Sequence, residues 1–301
     1  MSLSADPGAS PDVKTREPTD ARSIEVERRR PDPRSLPTPA APAEGDNRPV
    51  ALSLRAVAGD WGGSQPSDVE AVARSAASCF PVFDDGETIA IVIEPTPSHD
   101  DPPIVLTTPN STGELVIRLN VRGNLWARLA YQFAHELGHV IADIPTWRGG
   151  ADRFAWIEEA LCETASLYAL RSMAEAWAAA PPFEQWRDYA PALAAYAAEH
   201  TANPARTLPP GVPFSAWLGE RLPLFEADAG RREDNTVVAR ELLPVFERRG
   251  PTTWRAMRSL HAWTPSPEAN LADFLRHWAA ACPAGSAGVV ASISEILRVE
   301  G

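Results

Sequence analysis

From Met1 to Pro49 apolar positions are scarce, and prolines recur among charged residues with almost no aromatic or branched apolar side chain between them. Such a stretch cannot bury enough surface to offset its chain entropy, so residues 1–49 are expected to form a disordered tail rich in Pro and charge. The run Arg28-Arg29-Arg30 lies amid Glu25, Glu27 and Asp32 and reads as solvating charge.

The pattern then changes to short apolar segments. Ser67-Asp68-Val69-Glu70 places a serine three residues before a glutamate, the signature of a capping box, and predicts a helix running to about Cys79. Thr88 to Glu94, Ile104 to Thr108 and Glu114 to Val121 are rich in Ile and Val and are separated by Pro, Asn, Ser and Gly clusters, which predicts strands. The last two are expected to form a hairpin through Pro109 to Gly113. After Asn124 the period becomes helical, in Ala- and Trp-rich stretches divided by Pro and Gly. Helices are predicted over 125–142, 153–180, 183–200, 235–249, 252–261, 267–281 and 288–299. The expected architecture is α+β, with a sheet-containing sub-lobe at 50–123 and an all-helical sub-lobe at 124–301.

Composition narrows the function. Hydrophobic residues at 44% and charged residues at 23% fit an ordinary globular protein. The net charge of −12 repels phosphate backbones, which argues against nucleic acid as a partner. No run of about 18 apolar residues and no signal-like N-terminal segment is present, so no membrane partner and a cytoplasmic location are expected. Cys79, Cys162 and Cys282 are too scattered for a disulfide framework and read as small buried hydrophobes.

Chemistry enters at His135-Glu136-Leu137-Gly138-His139, the H-E-x-x-H spacing in which two imidazoles one helical turn apart can hold a single zinc. On a helix, Trp126, Leu129, Phe133, Leu137 and Val140 make one apolar stripe, and His135 and His139 fall on nearly the opposite side, away from the core. Asn124 is the expected N-cap and Pro145 the expected stop. A third ligand is needed. Ala142 and Pro145 stand where a metzincin would carry Gly and His, which excludes that class. Cys79, upstream, lacks the context of a deformylase ligand. A downstream glutamate remains, in Trp156-Ile157-Glu158-Glu159-Ala160-Leu161-Cys162-Glu163.

These two segments together resemble the gluzincin metallopeptidases, the group that holds thermolysin and aminopeptidase N. The resemblance covers residues 126–168 and departs from the aminopeptidase pattern at Ala160, where glycine is usual. It implies a zincin-like fold, a Zn²⁺ cofactor, His135, His139 and Glu159 as ligands, and Glu163 as the acidic residue orienting a ligand histidine. Periodicity also selects Glu159. Phe154, Ile157, Leu161, Thr164 and Tyr168 form a buried stripe, Glu159 and Glu163 lie opposite it, and Glu158, the competing ligand, points to the side.

Such a ligand set leaves an open position for water on the metal, and Glu136, about 100° around the helix from His135, is placed to act as general base. Tyr168, Tyr196, His200 and His261 are candidates for stabilising the oxyanion, with Tyr168 more at home in the core. The expected activity is zinc-dependent hydrolysis of a peptide or protein substrate, which could pair with Glu114 to Val121 as an edge strand. The competing expectations are an inactive zinc-stabilised interaction module and a metal-free helical scaffold.

Overall fold

The structure, a computed structural model, describes residues 51–80, 88–143, 153–283 and 285–298. The expected tail at 1–49 and the expected stop at Pro145 lie outside them. The fold is α+β. In chain order it comprises β1 (Ala51–Ala56), α1 (Pro66–Ala77), β2 (Thr88–Pro95), β3 (Ile104–Leu106), β4 (Leu115–Leu119), α2 (Trp126–Asp143), α3 (Ala155–Ala179), α4 (Ala190–Ala202), α5 (Phe214–Ala227), α6 (Arg232–Arg249), α7 (Leu271–Ala281) and α8 (Ala287–Ile296). Short 3-10 helices cover Glu184–Tyr189, Pro204–Arg206 and Pro251–Ser259.

The strands form a mixed sheet of order β1-β2-β4-β3, with β1–β2 and β2–β4 parallel and β3–β4 antiparallel. The hairpin between β3 and β4 forms where expected. Asn110 Oδ1 accepts the N–H groups of Thr112 and Glu114 at 3.0 Å, and Gly113 takes the left-handed φ of 81° that closes the turn. This hairpin corrects one expectation. Because β4 is hydrogen-bonded to β2 on one side and β3 on the other, it lies inside the sheet, and β3 is the edge strand. Strand β1 and helix α5 are additions to the predicted elements.

Helix starts also differ from expectation. The α1 box lies two residues earlier, between Gln65 and Asp68, and Glu70 instead accepts from Ala56 N–H and from Arg74. At α2 the carbonyl of Leu125 accepts the Leu129 N–H, while Asn124 Oδ1 accepts from the Ser64 hydroxyl. The loop from β4 into α2 is pinned by Gln132, whose Oε1 accepts the Asn120 N–H at 3.0 Å. That clamp fixes the distance from the sheet to the middle of α2.

Helices α2 and α3 pack on each other at the centre of one continuous hydrophobic core, with α4 and α6 also on α3 and α1 on α2. Every residue from Trp156 to Leu170 is buried. A helix enclosed in this way can carry charge only where that charge meets partners inside the protein. No described helix is long and apolar enough to cross a membrane.

Candidate metal centre

His135 and His139 lie on successive turns of α2, with ring centroids 5.1 Å apart. The wheel places them opposite the apolar stripe, but that side is covered by α3, and both histidines are buried, at 6% and 7% exposure. The expectation that they lie away from the core is therefore corrected. In both rings Nε2 is buried and makes no hydrogen bond among the described residues. An imidazole nitrogen in that state costs free energy unless something else occupies its lone pair.

Opposite these two nitrogens stands Glu159 of α3. Its Oε2 is 3.4 Å from His135 Nε2 and its Oε1 3.8 Å from His139 Nε2. Together the ligand atoms of His135, His139 and Glu159 lie within 4.8 Å of one another. An ion bound tetrahedrally at about 2.0 to 2.2 Å separates its ligand atoms by roughly 3.3 to 3.6 Å. The residues thus fit a small divalent ion, with the side chains closing in on it. His139, Glu158 and Cys162 form a second close grouping. It suits a metal less, because burial pushes the Cys162 thiol up to about 12, and its carboxylate is already engaged by two rings.

Glu158 corrects the helical-wheel reading outright. It does not point aside: Oε1 lies 2.6 Å from His139 Nδ1, and Oε2 lies 2.8 Å from His261 Nε2. The wheel argument fails because α3 from Ala155 to Leu170 has no solvent side against which a face could be judged. Burial alone would raise the Glu158 carboxyl, but hydrogen bonds from His139 and His261 hold it below the ordinary carboxylate range. An ionised carboxylate only accepts, so both rings donate to it. His139 therefore carries its proton on Nδ1, and Nε2 is the atom turned toward Glu159. Burial opposes the charged form of that ring, yet Cys162, Glu159 and Glu158 around it leave its pKa raised well above the ordinary value.

Glu163 lies behind the other histidine, with Oε2 3.9 Å from His135 Nδ1, beyond hydrogen-bond reach. Its bonds go elsewhere. The Tyr131 hydroxyl lies 2.5 Å from both carboxylate oxygens, and the Thr236 hydroxyl donates to Oε1 at 2.8 Å. Burial raises this carboxyl, but Arg232, His135 and the Tyr131 bond outweigh it and hold the pKa low. Tyr131 is pushed the opposite way by its own burial and by the Glu163 charge.

Glu136, the third member of the motif, is 1% exposed, and its Oε1 makes no hydrogen bond among the described residues. Burial raises its carboxyl, although His135, His139 and a backbone hydrogen bond from Val105 on the edge strand β3 pull the other way. A carboxyl set above its usual range beside two imidazoles is suited to taking up a proton.

Of the four oxyanion candidates, His261 reaches the cluster, through Glu158. Tyr168 packs on Phe80 and Trp254 in the core. Tyr196 and His200 pack on the Tyr131 ring, His200 stacked at 4.3 Å, and so line the Glu163 network. Sequence reasoning missed Tyr131 and Thr236. Tyr131 stands four residues before His135 on the same face, a spacing that could have flagged it, whereas Thr236 comes from α6 and carried no signal. Comparison with protein-family models, curated proteins and solved structures finds no match for this chain.

Proposed function

We propose that this chain is a zinc-dependent metallopeptidase of the gluzincin type, with a zincin-like arrangement of edge strand and paired helices, acting on peptide or protein substrates. The observation that carries the reading is a single one. Two buried imidazole Nε2 atoms without hydrogen-bond partners face the two oxygens of one carboxylate, beside a buried glutamate with a raised pKa.

His135, His139 and Glu159 would hold the ion. Zinc, when bound, supplies Lewis acidity in a site of low dielectric. Glu158 accepts the His139 Nδ1–H, which fixes the tautomer and increases the ring's basicity, and Glu163 carries negative charge behind His135. Glu136 takes the proton of the attacking water on its carboxylate and returns it to the departing amine, which balances the hydrolysis. Strand β3 is an edge of the sheet among the described residues and its Val105 backbone hydrogen-bonds Glu136, so an extended peptide added to that edge would lie near the proton-transfer group.

One observation favours the inactive zinc-stabilised module instead. Every ligand candidate is more than nine-tenths buried, as in sites whose metal only holds a fold together. Zinc content of protein purified without added metal, joined to cleavage of an unbiased peptide library with and without chelator, separates the readings. Stoichiometric zinc with chelator-sensitive cleavage supports the peptidase. Zinc without cleavage favours the module, and no zinc overturns both.

A further inference from the structure

Glu158 receives one ring on each oxygen, His139 from α2 and His261 from a segment 103 residues further along the chain. The second ring is presented by a braced platform. His261 follows the 3-10 helix Pro251–Ser259, whose Trp254 is fully buried and stacks on Phe246 of α6 at 4.0 Å. The Trp278 indole of α7 donates to the Ala256 carbonyl at 2.8 Å, and the Ser259 hydroxyl to the Ala281 carbonyl at 3.1 Å. The position of His261 is therefore set by the packing of α6 and α7, far in sequence from the H-E-x-x-H helix.

We propose that His261 is a positioning residue for the metal centre, acting through Glu158 on His139. The inference rests on the metal reading above. A carboxylate gripped at both oxygens cannot rotate, which has two consequences. His139 Nε2 keeps its aim at the point it shares with His135 and Glu159. Glu158, the immediate neighbour of Glu159, is also kept from swinging in to compete as a ligand. Without His261, Oε2 is left buried with no donor, and the carboxylate gains the freedom to do so.

A double-mutant cycle on the full chain tests this, read by chelator-competition titration with zinc and by the visible d–d absorption of the cobalt-loaded protein. His261→Ala should weaken zinc binding about tenfold, the lower end for an outer partner, and should change the cobalt spectrum. His261→Gln, which can still donate an N–H to Glu158, should restore most of both. Glu158→Ala should weaken zinc by about 10- to 100-fold, and adding His261→Ala to it should cost nothing more, because the two residues act as one unit. Additive losses, or a His261→Ala protein with unchanged affinity and spectrum, overturn the proposal. If His261→Ala does not fold, His261→Gln and Glu158→Gln carry the test, and unmutated affinity in Glu158→Gln overturns it. Failure of the unmutated chain to take up zinc at all is a separate outcome, which removes the metal reading and this inference with it.

Discussion

Gly138 and Cys162 mark the point where α2 and α3 touch. A Cβ built on Gly138 would lie 2.8 Å from Cys162 Sγ and 3.2 Å from its Cα. The obstruction includes backbone, so the helices themselves would have to part. Gly138→Ala should gain up to about 1 kcal/mol of helix propensity and lose about 1 to 3 kcal/mol to overpacking, a net loss in most of that range. Thermal melts of the metal-free protein should show a lower Tm, and zinc affinity should fall as well, since parting α2 from α3 draws Glu159 away from both histidines. An unchanged Tm with unchanged affinity would mean that the interface yields more easily than its packing implies.

Loss of either imidazole removes one of the two Nε2 atoms that face Glu159. His135→Ala and His139→Ala should each abolish stoichiometric zinc, and Glu159→Ala should weaken it by orders of magnitude, as measured by metal analysis after dialysis. Retention of full zinc by Glu159→Ala would move the third ligand to another side chain.

The Glu163 carboxylate is fully enclosed and depends on two hydroxyls. Tyr131→Phe or Thr236→Val leaves part of a buried charge without a donor, which costs about 1.5 to 3 kcal/mol for a hydrogen bond to an ionised group. In a domain of this size that is a Tm loss of roughly 3 to 12 °C. Thr236→Ser, which keeps the hydroxyl, should recover most of it, and equal losses for Val and Ser would assign the effect to packing rather than to the hydrogen bond.

What could be read from the chain follows the range of the interactions. The H-E-x-x-H helix and the approach of Glu159 to its histidines are legible because the histidine spacing is local within α2 and Glu159 follows His139 by only about 20 residues. The position of Glu158 is not, since it depends on His261 across 103 residues and on this part of α3 being buried all round, which no helical wheel reveals. Strand β1 alternates half-buried Leu52 and buried Leu54 with exposed Ser53 and Arg55, but it lacks β-branched residues and adjoins a tail-like stretch. Helix α5 hides behind Pro209, Pro210 and Pro213 and carries Pro223 in its interior, and these read locally as a loop. Tertiary packing overrides local propensity there: Trp217, Leu218 and Phe225 are buried.

Glu136 links mechanism to stability, and its sign differs from that of Glu158 and Glu163. Burial raises its folded-state pKa above the ordinary 4.5 of a glutamate. Between 4.5 and that raised value the folded chain holds a proton that the unfolded chain has released, so stability contributed by this group falls as pH rises through the window. Glu158 and Glu163, both held low, act oppositely: their contribution is present above their unfolded values and is lost as pH falls through the folded ones. Glu136→Gln removes the buried charge at nearly constant shape. Metal-free Glu136→Gln should therefore melt higher than the unmutated protein near pH 7, with the difference vanishing once the pH drops well below about 4.5, where the Glu136 carboxyl is neutral in the folded and the unfolded chain alike. Zinc content should be unchanged, because Glu136 is not among the atoms facing the shared point. Peptide hydrolysis should nevertheless fall by about 10²- to 10⁴-fold, the usual contribution of a positioned general base. Higher metal-free stability, retained zinc and lost turnover in one variant would assign Glu136 to proton transfer. Loss of zinc alongside activity would make it a structural residue, and full activity in Glu136→Gln would place the chemistry elsewhere in the molecule.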